Sequence, residues 1–110
     1  MITANINKSL RQHVYKRDGY RCALCDDPRH LQIHHIIFSS QGGDKLGEQN
    51  MITLCPICHA LAHGNNIAGI DKTQEDMEQA ISEYMSDLYA CEGIIWNPWD
   101  AREKVVEWKF

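Results

Sequence analysis

Leu31-Gln32-Ile33-His34-His35-Ile36-Ile37 decides how the rest of the chain is read. Its first four positions alternate apolar with polar residues, the period of a half-buried strand. Leu31 and Ile33 share one face, and Gln32 and His34 share the other. His35 falls opposite His34 unless a bulge intervenes, so the two histidines need not share a job. Asn50 follows fifteen residues after His35, His59 nine residues later, and His63 four after that. Met51-Ile52-Thr53-Leu54 is a second apolar run that can pair back on the first. His59 to His63 reads as one or two helical turns closed by Gly64, which puts both histidines on one face. Strand, strand and helix in that order predict a small α+β unit.

Two Cys-x-x-Cys pairs, Cys22/Cys25 and Cys55/Cys58, flank this set. The stretch from Met1 to Leu10 lacks the apolar centre of a secretory leader. No run approaches the length of a membrane span. A cytoplasmic location is therefore expected, and there paired thiols more often hold metal than form disulfides. The pairs lie thirty residues apart, longer than the common ribbon spacing, and the strands and their loop account for the excess. Four thiolates around Zn²⁺ give a closed, structural site whose binding energy is folding energy. A chain of 110 residues buries only a modest core and gains from such a staple. Redox cysteines, or a Cys₃His set that borrows His59, are the alternatives. Cys91 stands alone in a predicted helix and reads as a small buried hydrophobe.

The net charge of −4 hides an asymmetry. Residues 1–64 carry seven Lys/Arg against five Asp/Glu, and residues 65–110 carry four against ten. Arg11, Lys16, Arg17 and Arg21 make the N-terminal stretch the place where a phosphate backbone would be met. The acidic second half argues against a general nucleic-acid coat and faces solvent or a partner. Ser9-Leu10-Arg11-Gln12 has the spacing of a capping box, and Gly19 ends the helix it opens. Residues 38–49 form a long polar loop around Gly42-Gly43, and loops of that kind tend to be functional. Asp71 or Thr73 can cap a helix from about Gln74 to Cys91. Its stripe of Met77, Ala80, Ile81, Tyr84, Met85 and Leu88 marks a buried face. The aromatic stretch Ile94 to Trp99 should dock on that helix or on a second subunit. Residues 100–110 fit a helix or a strand equally. The organisation expected is a core over 1–64 and an acidic helical extension over 65–110, which packs on the core or on a partner.

Cutting a phosphodiester requires an activated water, charge stabilisation on the phosphate and help for the departing 3′ oxygen. Imidazoles can supply the base and hold the metal that does the rest. His34-His35, Asn50, His59 and His63 resemble the motif of the HNH, or ββα-metal (His-Me finger), nuclease superfamily. Their spacings are similar to those of the colicin-type nuclease domains. The cysteine pairs and the lead-in Arg17-Asp18-Gly19-Tyr20-Arg21-Cys22 resemble the zinc-bearing HNH proteins of bacteria and phages. The resemblance covers about residues 9–64.

It implies His35 as general base, and His34, His59 and His63 as ligands of one catalytic divalent metal. It implies Asn50 as the residue that holds His35 in orientation by bonding across the loop, and products with a 5′-phosphate and a 3′-hydroxyl. Many HNH proteins carry Asp at the position of His34. A histidine there suits Zn²⁺, Ni²⁺, Co²⁺ or Mn²⁺ better than Mg²⁺. Some members carry Asn near the motif's end, where this chain has His63. The function expected is a metal-dependent DNA endonuclease acting on double-stranded DNA in a bacterial or phage-infected cell. The alternatives are an idle zinc module that binds nucleic acid or protein, and the nuclease subunit of a phage packaging or restriction complex. Residues 73–110 would dimerise or dock a partner.

Overall fold

The computed structural model describes residues 8–38 and 47–98. The expectations for Gly42-Gly43, Trp99 and residues 100–110 fall outside the described residues. Helix α1 (Lys8–Arg17) leads to strand β1 (Gln32–His35), a short 3-10 turn (Glu48–Asn50), strand β2 (Met51–Leu54), helix α2 (Pro56–Ala62) and helix α3 (Gln74–Ala90). The two strands pair antiparallel, with Gln32 opposite Leu54, Ile33 opposite Thr53, His34 opposite Ile52 and His35 opposite Met51. Strand, strand and helix follow one another around the histidines in the ββα-metal manner, within an α+β fold.

Both faces of this ribbon are covered, so β2 is buried at every position. On one side Val14 of α1, Ile33 and Met51 form a small cluster, with Leu10 and Tyr15 against it. On the other, Ile52 and Leu54 join Cys22, Cys55, Cys58, Leu61 and the α3 residues Met77, Ile81, Met85 and Tyr89. Each large apolar side chain withdrawn from water here is worth about 1.5–3 kcal/mol. The predicted α3 stripe thus packs on the strands and α2 of its own chain. Trp96 also packs on this cluster, and its indole N–H donates to the Gln49 carbonyl at 2.8 Å.

The ends of the helices have local causes. The Thr73 hydroxyl accepts from the Asp76 N–H and the Asp76 carboxylate accepts from the Thr73 N–H, a reciprocal capping box for α3. Between the two candidate caps, Thr73 rather than Asp71 takes the position. α1 begins at Lys8, one residue before Ser9, so Ser9 lies inside the helix rather than capping it. Gly19 turns the chain away from α1 with φ +80°. Cys91 caps the C-terminal end of α3 and is exposed, contrary to the expectation of a buried hydrophobe. It follows Tyr89, the last buried residue of the stripe, by two positions and so turns away from the core.

Arg17 and Asp18 form the buried polar node of the fold. The Asp18 carboxylate accepts from Arg17 Nε at 2.9 Å, from the Thr53 N–H at 2.9 Å and from the Tyr84 hydroxyl at 2.8 Å. Arg17 also donates to the carbonyls of Glu48 at 2.7 Å and Met51 at 2.6 Å, and to the Tyr89 hydroxyl at 3.2 Å. The pair therefore ties α1, β2 and α3 together. Burial works against the Arg17 charge, and the Asp18 carboxylate more than restores it. Burial and the same carboxylate hold the Tyr84 hydroxyl above its ordinary range.

Candidate metal centre and active site

Helix α2 carries ligands of two different kinds. Cys55 is its N-cap, and Cys55 Sγ accepts from the Cys58 N–H at 3.5 Å. Pro56 occupies the first helical position, where a missing N–H costs nothing. The helix therefore starts inside the second Cys-x-x-Cys pair, three residues earlier than the His59 start expected from the histidine spacing. Cys58 and His59 become consecutive helical positions, about 100° apart around the axis. One turns to the first cysteine pair and the other to β1.

The four Sγ atoms of Cys22, Cys25, Cys55 and Cys58 lie within 4.8 Å of one another, and no disulfide joins them. Cys25 and Cys55 Sγ are 3.6 Å apart. Two thiolates on one tetrahedral zinc, each at ~2.3 Å, would stand ~3.8 Å apart. The first pair is presented by a tight turn, in which the Cys22 N–H donates to the Asp27 carbonyl and the Asp26 N–H to the Cys22 carbonyl.

Left to themselves, these thiols conflict. The Cys58 thiol and nearby backbone groups hydrogen-bond to Cys22 and pull it down to about 4, against its burial. Burial and the neighbouring sulfurs push Cys25 up to about 11. Cys58 is pushed up by its bond to Cys22 and by burial. A bound cation lets all four deprotonate together, so the set can hold a metal ion.

A second group of nitrogens lies on the other side of α2. His34 from β1, His59 from α2 and His63 at the α2 C-cap each offer a ligand atom within 4.8 Å of the others. Their ring centroids are 5.1 Å apart for His34 and His59, 5.1 Å for His34 and His63, and 4.8 Å for His59 and His63. His59 Nδ1 meets the side-chain oxygen of Gln32. An amide oxygen only accepts, so the proton sits on Nδ1 and Nε2 keeps its lone pair. That Nε2 faces His63 Nε2 at 3.1 Å. Two imidazole nitrogens on one tetrahedral ion at ~2.0–2.1 Å would be ~3.4 Å apart.

His34 Nδ1 is buried and has no hydrogen-bond partner among the described residues. Burial, with His59, His63 and His35 adding to it, pushes His34 down to about 3. Burial, with His63 and His35 adding to it, lowers His59. Both are therefore neutral near pH 7, the form that binds a cation. Phe38 stacks on His63 with ring centroids 5.1 Å apart and meets His34 edge-on at 5.9 Å.

His35, half-buried at the end of β1, is not one of the three converging imidazoles. Asn50 is fully buried. Its Oδ1 accepts from the Ile37 N–H at 2.6 Å and its Nδ2 donates to the Ile37 carbonyl at 3.0 Å. The Asn50 carbonyl accepts from the Ile36 N–H at 3.0 Å. Asn50 thus clamps the backbone just beyond His35 and closes the base of the loop.

The four basic residues assigned to DNA do not behave alike. Lys16 and Arg21 are exposed, Arg21 in an ion pair with Asp26 at 3.3 Å, and Arg11 is half-buried on α1. Arg17 is a correction. Its side chain is 8% exposed and its donors are spent on Asp18, Glu48, Met51 and Tyr89, so it braces the fold instead of meeting a phosphate.

Three residues near the histidines escaped the sequence reading. Gln32 had a signal, since it stands two positions before His34 and so shares its strand face. Phe38 had none beyond its place at the edge of the loop. Gln74 donates from Nε2 to the Ala62 carbonyl at 3.1 Å, bracing α2 where His63 leaves it. A Cβ on Gly64, at φ +89°, would come within 3.2 Å of Gln74 Oε1, so this helix end is closely fitted to α3.

Comparison with known proteins places this geometry. The profile of the HNH endonuclease family matches residues 22–65, the span from the first metal-site cysteine to just past His63. Anaredoxin from Nostoc sp. (strain PCC 7120 / SAG 25.82 / UTEX 2576) is 34% identical over 58 residues, which is 52% of this chain and 75% of that protein. No solved structure matches the chain.

Proposed function

The chain belongs to the HNH endonuclease family, and from that premise we propose that it is a metal-dependent endonuclease that hydrolyses phosphodiester bonds in DNA. The products are a 5′-phosphate and a 3′-hydroxyl. The observation that carries the reading is the convergence of His34, His59 and His63 within 4.8 Å, with His35 beside them and outside the set. Cys22, Cys25, Cys55 and Cys58 hold a structural Zn²⁺, the ion that four sulfurs at tetrahedral spacing suit best.

His34, His59 and His63 would hold a divalent cation, which when bound would supply charge neutralisation on the phosphate and on the departing 3′ oxygen. The remaining work falls to the chain itself. His35 takes the proton of the attacking water, the task an imidazole performs best near neutral pH. Asn50 fixes the backbone that carries His35 through its two bonds to Ile37. Gln32 fixes the His59 tautomer, so that the bare nitrogen, which lies beside His63 Nε2, would be free to hold a cation. Lys16, Arg11 and Arg21 supply salt-dependent affinity for the phosphate backbone.

Supercoiled plasmid incubated with Mn²⁺, Ni²⁺ or Mg²⁺ tests the reading, with His35→Ala as control. Nicking by the natural chain and a loss of ~10²–10⁴-fold in the variant are expected. Undiminished cutting by the variant would overturn the base assignment. No cutting of DNA with any of the metals would leave a zinc-bearing binding module in place of an enzyme.

A further inference from the structure

A cleft of about 540 Å³ opens beside the histidine cluster. His34 lines it, and Phe38 and Trp96 give it aromatic surface. α3 also lines it, with Gln74, Glu78 and Ser82, spaced four apart and therefore aligned along one helix face, and with Ile81.

The chemistry of that wall is one-sided. Gln74 has spent one amide hydrogen on the Ala62 carbonyl, and its side-chain oxygen, which only accepts, lies beside Gly64. Glu78 offers a carboxylate, which only accepts. α3 carries Glu75, Asp76, Glu78, Glu83 and Asp87 and no lysine or arginine. A phosphate group brought against this wall would meet the like charge of Glu78, with only the neutral Ser82 hydroxyl and the second Gln74 amide hydrogen, and no cationic side chain of α3, to offset it. The cleft therefore suits a flat, uncharged group that bears N–H donors, and its volume lies in the range of small-ligand sites.

We propose that this cleft is a nucleobase pocket, which receives an unstacked base next to the scissile phosphate and favours bases with an exocyclic amino group. The proposal rests on the nuclease reading, which brings a nucleic acid to His34. The base edge faces Glu78 and Ser82, and its plane lies against the Trp96 side, in the way that unpaired bases are held on aromatic side chains elsewhere. Cytosine, adenine and guanine carry the amino donor and thymine does not. A base can enter only when it has left the helical stack. The preferred target is then a single strand, a mismatch or a locally opened duplex, where unstacking costs least.

The full chain, loaded with zinc and labelled with ¹⁵N, can be titrated with cytidine and with thymidine. The expected result is movement of the Trp96 indole and Glu78 amide resonances, with cytidine binding ~10-fold tighter than thymidine. In Glu78→Gln this difference is expected to shrink towards unity. Equal binding of the two nucleosides, or no binding of either, overturns the proposal on the unmodified protein alone. Binding of a simple primary amine in preference to cytidine would assign the cleft to a cationic peptide side chain and also overturn it. Plasmid nicking distinguishes the two readings. Nicking without selective nucleoside binding removes the pocket and leaves the nuclease. Selective binding without nicking keeps the pocket and removes the nuclease.

Discussion

At the scale of single residues, Arg17 shows what a charge is for when it is buried. Removing it strands the Asp18 carboxylate, whose side chain is 0% exposed, beside Tyr84 and the Thr53 N–H. Arg17→Met is expected to cost about 3–5 kcal/mol of folding free energy, read as a fall in urea midpoint. The identity of Arg17 was legible in the sequence, but its role was not. A basic residue at the end of a short helix faces water or the core according to what packs there, and Tyr84 and Tyr89 arrive from more than sixty residues away. Gln32 is a second case. Gln32→Leu is expected to lower the affinity of the histidine site for Zn²⁺ or Ni²⁺ by ~10–100-fold in calorimetric titration, because His59 loses the partner that sets its tautomer. Gln32→Glu, which also accepts, should retain binding.

At the scale of elements, α2 matters most. Its first turn belongs to the sulfur cluster, and His59 and His63 follow within the same helix and its cap. Stripping the sulfur-bound ion with a chelator is therefore expected to abolish metal uptake at the histidines as well. Circular dichroism and metal counting on the same sample would check this, since helix content and both ions should be lost together. A Cys22→Ser variant should behave alike. The strands, the turn between the cysteines and the α3 stripe were legible because each is written in local periodicity or in paired residues. The start of α2 was not, because proline and a capping thiol set it, and neither enters a hydrophobic pattern. The 3-10 turn at Glu48–Asn50 was likewise hidden, since it is held by the Gly47 carbonyl and the Arg17 guanidinium rather than by its own sequence.

At the scale of the whole molecule, the histidines make stability depend on pH. The folded chain holds His34 down at about 3 and lowers His59, while the unfolded chain takes up protons near pH 6.5. The unfolded state therefore binds more protons between those limits. Metal-free protein is expected to be most stable above pH 6.5 and to lose stability progressively as pH falls towards 3. Thermal melts in a series of buffers would show it, and saturating metal should steepen the loss because protons compete for the same nitrogens.

The core itself ignores the boundary of the family match at residue 65. Met77, Ile81, Met85 and Tyr89 fill the same cluster as Ile52, Leu54 and Leu61, and Gln74 grips the last turn of α2. The motif is consequently no detachable cartridge. Transplanting residues 22–65 alone onto another scaffold would leave Ile52, Leu54 and Leu61 without the side chains that cover them, and protein engineers wishing to borrow the motif should carry α3 along with it.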